Sequence, residues 1–305
     1  MLNGKRKEIM KLFCPVCLTE RSFKVEIFNL TSVYSLESTY DISSCIDCDI
    51  WITVPQLTEA ELSLHYKSVY AFNVHHWVRF EKFLRAKRLI AISKIFSEDS
   101  KVVELGTGSG VLAKQLARKC KLVHGCELDP ASVKEANLQK LLNISNLTAE
   151  VFLKGADEKK YDVAVLSHVL EHFTKPMEIL SQVHRVLNDS GKILIVVPNR
   201  DSAPKLLKRY WGYWQVPIHI SHFNLRSLES LLQQSGFSVE SVKFRNSDFM
   251  EVGSFLSNIL NRNKTSKSFS ESGFLKVIVT IFSVAYFLTY RFGSKDLIVV
   301  AAKTT

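Results

Sequence analysis

The chain lacks an uncharged apolar run long enough to cross a membrane. The stretch from Val277 to Tyr290, "VIVTIFSVAYFLTY", has 14 residues, against the roughly 20 that a spanning helix needs. A core or interfacial helix is expected there instead. The basic N-terminal segment "MLNGKRKEIMKLFCP" has no apolar core of the kind a signal peptide requires, so a cytoplasmic protein is expected. No internal repeat and no low-complexity tract occurs. With 46% hydrophobic and 23% charged residues, the composition excludes disorder over most of the 305 positions. Cysteine is sparse: six residues in a chain read as non-secreted point to metal binding or free thiols and exclude a disulfide scaffold. Acidic residues are in deficit, and the net charge of +10 favours an anionic partner. Nucleotide, nucleic acid, sugar phosphate and acidic lipid all meet that description.

Four of the cysteines form two pairs, Cys14-Pro-Val-Cys17 and Cys45-Ile-Asp-Cys48. A two-residue gap lets both thiolates converge on one side of a tetrahedral zinc ion, so these residues are expected to hold structural zinc. The segment between the pairs alternates as in "SFKVEIFNL", which suits the strands of a zinc-ribbon-like region over residues 1–55. Cys120 and Cys126 lie among apolar neighbours and are expected in the core. A helical connector is expected over 56–97, opening on a Thr58-x-x-Glu61 capping box. Its second helix, "WVRFEKFLRAKRLIAISKIF", has one apolar face and one basic face.

From residue 98 to 305, strands alternate with helices, the pattern of a parallel sheet. "KVVELG", "KLVHGCELD", "YDVAVLSH", "GKILIVVPN", "FSVESVKF" and "DLIVVAAK" read as strands; the one between the second and the third of these is indistinct. "GVLAKQLARKC", "PASVKEANLQKLL", "KPMEILSQVHRVLN" and "LRSLESLLQQSG" read as helices. About 50 residues, 247–294, form an insertion before the last strand.

The first strand runs into "ELGTGSG". Gly106, Gly108 and Gly110 allow a tight turn and close approach of a ligand to the N-terminus of the next helix. A dinucleotide fingerprint would need a small residue where Val111 stands, and Glu104 would repel a pyrophosphate, so a nicotinamide oxidoreductase is disfavoured. Glu104 instead suits an aminoacyl or sulfonium cation. Glu127, ending the next strand, is placed to accept both ribose hydroxyls. A ribose-bearing, cationic, phosphate-free cofactor is S-adenosylmethionine.

Together, "VVELGTGSG", "GCELDP", "YDVAVLSHVLEHF" and "GKILIVVPN" resemble the class I S-adenosylmethionine-dependent methyltransferases over roughly residues 98–305. The paired cysteines followed by "VPQLTEAELSLHY" resemble a narrower bacterial group with an N-terminal zinc-binding region, whose members often methylate sugars in surface-polysaccharide pathways. In such proteins the residue after each second cysteine is usually glycine; here it is Leu18 and Asp49. The resemblance implies an α/β fold: a Rossmann-like doubly wound sheet with a final antiparallel strand, preceded by the ribbon. It implies that Glu104, Gly106, Thr107, Gly108 and Gly110 hold the methionine part of the cofactor. Glu127 would take the ribose, Leu128 would pack on the adenine and Asp157 would lie near the adenine amine, while Ser167 and His168 would sit beside the sulfonium.

Methyl transfer is an in-line displacement governed by positioning, and an oxygen or carbon acceptor must also lose a proton. Candidate bases are His172, His219, His168 and His222. His168-x-x-Glu171-His172 also matches a zinc-peptidase motif, but that geometry needs both histidines on one helix, and the next helix starts only near Pro176. The expected acceptor is a small molecule, a sugar nucleotide or lipid-linked glycan among the options. A non-catalytic cofactor-binding scaffold is the alternative. "KLLKRYWGYW" combines basic and aromatic residues, yet no nucleic-acid-binding fold surrounds it, so nucleic acid is disfavoured as a partner. The insertion at 247–294 is expected either as a lid packed on the protein itself or as a peripheral contact with the inner face of a membrane. Nothing in the pattern specifies an oligomeric state.

Overall fold

The computed structural model describes residues 9–32, 38–58, 60–62, 76–138, 142–202, 211, 213–246 and 294–304. The N-terminal alternation becomes an antiparallel sheet of β1 (Ile9–Cys14), β2 (Thr19–Thr31), β3 (Thr39–Cys45) and β4 (Trp51–Val54). Along β2, Phe23, Val25 and Ile27 are buried while the residues between them are not, the period-2 burial of a sheet with one covered face. At each of the two register shifts between β2 and β3, β2 carries one residue more than its partner. A fifth strand, β10 (Ser221–His222), comes from far along the chain and pairs with β4 through Ser221↔Ile52 and His222↔Trp51.

Among the described residues, the second sheet has seven strands in the order β11-β12-β9-β8-β5-β6-β7. Its parallel part is β5 (Lys101–Leu105), β6 (Leu122–Cys126), β7 (Asn143–Ser145), β8 (Tyr161–Ser167) and β9 (Leu187–Pro198). β12 (Ser294–Lys303) returns antiparallel between β9 and β11 (Phe237–Asn246). This is the Rossmann-like doubly wound sheet with a final antiparallel strand. The indistinct strand is β7, only three residues long.

The helices are α1 (His76–Ser93), α2 (Val111–Ala117), α3 (Pro130–Asn137), α4 (Ala149–Lys154), α5 (Pro176–Val186) and α6 (Leu225–Gln234). Local chemistry sets their ends. Asp129 accepts from Ser132 N at 2.9 Å ahead of Pro130, and Asn224 forms a reciprocal capping box with Ser227. The expected Thr58–Glu61 box is also present: Thr58 N donates to Glu61 Oε2 at 2.8 Å, and Glu61 N donates to Thr58 Oγ1 at 3.3 Å. α5 stops two residues earlier than its pattern suggests, because Leu187 turns extended and pairs with Tyr161.

Both faces of the large sheet are covered. On one, Val102, Val163, Val165 and Leu194 pack with Leu89, Leu116 and Phe96, drawing on α1 and α2. On the other, Leu105, Leu166 and Ile195 pack with Leu180 and Leu228 from α5 and α6 and with Phe23, Ile50 and Ile52 from the N-terminal sheet. The small sheet thus shares a core with the large one, above the C-terminal ends of its parallel strands. Among the described residues no helix is long and apolar enough to cross a membrane. The insertion expected at 247–294, with its apolar run Val277–Tyr290, lies outside the described residues apart from its last position.

Candidate active site

β5 ends in Leu105 and the chain turns through three glycines in the left-handed region, at φ 66° for Gly106, 53° for Gly108 and 72° for Gly110. The reasons differ. A side chain at Gly106 would strike Val169 at 2.8 Å, and one at Gly110 would strike Ala136 at 2.7 Å. A Cβ at Gly108 would meet nothing within 4 Å, so that glycine faces open space, as a cradle for a ligand must. Gly106 and Thr107 both donate to Cys126 O, at 3.0 and 3.1 Å, which pins the loop to β6.

Two carboxylates flank the loop. Glu127 accepts from Gly108 N at 2.8 Å, Leu128 N at 2.7 Å and Asp129 N at 3.0 Å. Glu104 is buried, and its Oε2 makes no hydrogen bond within the protein. Burial, and secondarily the charge of Glu127, pushes the Glu104 carboxyl up to about 8. A buried oxygen left without a donor is costly, and a ligand ammonium would satisfy it. Leu128 is 48% exposed at the end of β6, an apolar surface suited to a flat ring. The open cradle, the orphaned Glu104 oxygen and the exposed Leu128 fit the methionine and adenosine parts of S-adenosylmethionine.

Asp157 is not brought to this edge. It precedes β8, at the N-terminal end of the parallel strands, where its exposed side chain pairs with Lys160 Nζ at 2.9 Å. The side chain that does extend from the end of β7 is Asn146, whose Nδ2 donates to Glu127 O at 3.0 Å and Leu128 O at 2.9 Å. Sequence reasoning missed Asn146 because a three-residue strand carries too little periodicity to be seen.

Beyond β8 the chain passes through Ser167 and His168, the latter at φ 55°, into a short 3-10 turn, Leu170–His172. His168 stands between two acids, with Nδ1 at 3.6 Å from Glu171 Oε1 and Nε2 at 3.7 Å from Asp296 Oδ2. Asp296 in turn pairs with Arg245. Burial pulls His168 down, but Asp296 and Glu171 outweigh it and hold it up at about 9. A histidine already protonated at neutral pH is not a base there.

His172, His219 and Glu171 are brought together, and one ligating atom of each lies within 4.8 Å of the others. Backbone bonds stitch their two segments: Ile220 N donates to Glu171 O at 2.9 Å, and Thr53 N donates to Ile220 O at 3.0 Å. His172 Nδ1 donates to Ile218 O at 2.9 Å and His219 Nδ1 to Tyr213 O at 2.7 Å. Carbonyls only accept, so in each neutral ring the proton sits on Nδ1 and the lone pair on Nε2. His222 is held differently. Thr53 Oγ1 donates to His219 O at 2.6 Å and therefore accepts from His222 Nε2 at 3.0 Å. Burial pushes His222 down to about 3, and burial together with the neighbouring histidines pushes His219 well below its ordinary value.

A family model described as "Methyltransferase domain" matches residues 59–242. The chain belongs to that family. This methyltransferase-family chain is 26% identical over 112 residues to a ubiquinone biosynthesis O-methyltransferase of Pseudomonas entomophila, covering 35% of this chain and 48% of the relative. It is 25% identical over 224 residues to squalestatin tetraketide synthase clz2 of Cochliobolus lunatus, covering 66% of this chain but 9% of that much larger protein. The chain thus spans about half the length, or less, of the curated relatives it matches. Its fold is similar to that of a SAM-dependent methyltransferase from Archaeoglobus fulgidus, with a TM-score of 0.52 at 20% identity, over 75% of this chain and 100% of that one.

This methyltransferase-family chain carries a second cluster in its N-terminal sheet. The sulfurs of Cys14, Cys17, Cys45 and Cys48 lie within 4.8 Å of one another. Leu18 and Asp49, which follow the second cysteine of each pair, adopt φ 56° and 61°. Both therefore take the left-handed conformation that glycine adopts most easily, and their N–H groups bond back to Cys14 O at 2.9 Å and Cys45 O at 3.1 Å. Asp49 also bonds Asn224 Nδ2 at 3.0 Å and pairs with Arg200, whose guanidinium lies 4.4 Å from the Trp51 ring. The aromatics of "YWGYW" are largely structural: Trp211 and Trp214 are buried with Trp51, Ile27 and Ile42 on the small sheet. Residues 203–210, including "KLLKRY", lie outside the described residues.

Proposed function

We propose that this protein transfers a methyl group from S-adenosylmethionine to a hydroxyl of a small molecule, a sugar or a carrier-linked glycan precursor. The observation that carries this reading is the unpartnered Glu104 oxygen, buried beside a glycine whose open side is free for a ligand. Glu104 would balance the ammonium of the cofactor, Gly108 would allow its close approach, Glu127 would receive the ribose and Leu128 would support the adenine. When bound, the cofactor would supply an electrophilic methyl that the acceptor oxygen takes up, the electrons of the carbon–sulfur bond remaining on the thioether that leaves.

The acceptor proton leaves towards the Glu171–His172–His219 cluster, where the half-buried His172 carries its lone pair on Nε2. Oxygen is the preferred acceptor atom because such a cluster serves a group that must lose a proton, and because the ubiquinone relatives are named O-methyltransferases. The net charge of +10 favours an acceptor bearing phosphate, as activated sugars do. Zinc on the four cysteines would hold the small sheet against this site. The test is direct. Labelled S-adenosylmethionine should bind in the micromolar range and pass its methyl to a sugar-nucleotide or lipid-linked glycan fraction; a chain that binds no cofactor ends this reading.

A further inference from the structure

Glu171 is the most poorly satisfied acid among the described residues. It is 1% exposed, and neither of its carboxylate oxygens makes a hydrogen bond. Its neighbour His168 stays at 3.6 Å, beyond hydrogen-bond range. His168 gives that carboxylate a counter-charge, one it shares with Asp296, but no hydrogen bond, and a buried carboxylate also needs donors or ligands on its oxygens. The other two members of the cluster are arranged as ligands. Each ring is oriented by an Nδ1–H bond to a main-chain carbonyl, which leaves Nε2 as the donor atom, the outer-shell arrangement by which metal-binding histidines are normally held. The backbone is braced on both sides, through Ile220 to Glu171 and through Thr53 to His219. That bracing comes partly from β4, so the small sheet helps to place the third ligand.

We propose that Glu171, His172 and His219 bind one divalent transition-metal ion at the acceptor side of the site. Two imidazole nitrogens and one carboxylate, with positions left open, suit the series from Mn²⁺ to Zn²⁺ better than Mg²⁺ or Ca²⁺, which prefer all-oxygen shells. The site is separate from the four cysteines and shares none of their ligands. Its role rests on the methyl-transfer reading: an acceptor hydroxyl reaching an open position of the ion would lose its proton to water more readily. The two histidines would then act as ligands, and the cluster would lower the acceptor's proton affinity through the ion rather than through His172 as a base.

The probe is Mn²⁺, titrated into the full chain and followed by electron paramagnetic resonance, with S-adenosylmethionine binding measured on the same samples. The expected result is one saturable Mn²⁺ per chain that excess Mg²⁺ does not displace. Its affinity should fall at least tenfold in both Glu171→Gln and His219→Gln while cofactor affinity stays the same. Pulsed measurements on the unmodified protein should show nitrogen coupling from two directly bound imidazoles, a readout independent of any variant. No saturable Mn²⁺, no nitrogen coupling, or equal binding in both variants would overturn the proposal. Mn²⁺ binding without cofactor binding would instead overturn the methyl-transfer reading and leave the ion site standing.

Discussion

Among the described residues there are two clusters of metal-competent side chains, and they are built on opposite plans. The four cysteines lie in two short turns whose geometry is local, each N–H bonding back to the first cysteine of its own pair. Glu171, His172 and His219 come from two distant segments that bond directly to each other, through Ile220 N to Glu171 O and His172 Nδ1 to Ile218 O, just before β10 joins the N-terminal sheet. The first cluster sits in the core beside Phe23 and Ile52 and is positioned to hold structure. The second includes a half-buried histidine and a carboxylate without donors, a costly arrangement that structure alone does not require. Cost without structural return marks a site for chemistry.

Removing each cluster should therefore have opposite consequences. Stripping the cysteine cluster, by a strong chelator or Cys14→Ser, should lower Tm by more than about 10 °C, since structural zinc is folding free energy. An unchanged melting curve would break the contrast. Glu171→Gln should do the reverse: turnover falls by roughly 10²–10³, the usual scale for losing proton-transfer assistance, while Tm holds, because the carboxylate has no hydrogen bond to lose and His168 keeps Asp296 as its ion-pair partner. A large loss of Tm in that variant would make Glu171 structural.

The cofactor cradle supplies an intermediate case. Gly108→Val meets no atoms in the protein but must hold a left-handed φ of 53°. We expect a stability loss of about 1–2 kcal/mol, visible in denaturant melts, and a loss of S-adenosylmethionine affinity of roughly 100-fold or more by filling the cradle. Glu104 should reveal itself through pH. Its folded-state value of about 8 lies above the ordinary 4.5, so the folded chain keeps a proton that the unfolded chain releases. Stability of the cofactor-free protein should then decline as pH rises from about 4.5 to 8, and Glu104→Gln should flatten that decline. A last pair of variants tests the two knuckles. Leu18→Gly should change stability by less than about 1 kcal/mol, as relief of the left-handed strain offsets a freer unfolded chain. Asp49→Gly gains the same relief but loses the bonds to Arg200 and Asn224, and should cost about 1–3 kcal/mol in denaturant melts.

Much of the proposed cofactor half was legible in the chain because its signals are local. A buried strand, three glycines, a helix and a strand-end acid follow one another directly, so Glu104, Gly108 and Glu127 could be named from order alone. Asp157 shows the limit: with β7 only three residues long, an acid near the expected distance was placed at the adenine, whereas the folded chain sends it to the opposite edge. The histidines show another limit. The motif His168-x-x-Glu171-His172 gave no hint that His168 would pair with Asp296 from the last strand, or that His219 would replace it beside His172. By itself, the sequence determined the sheet, the glycine cradle and the cysteine knuckles, because period, turn geometry and close spacing act over a few residues. The tertiary structure decided which histidines share a centre, and that a carboxylate would be buried among them. Those outcomes depend on strands crossing between two sheets, a pairing free energy that no short stretch of the chain contains.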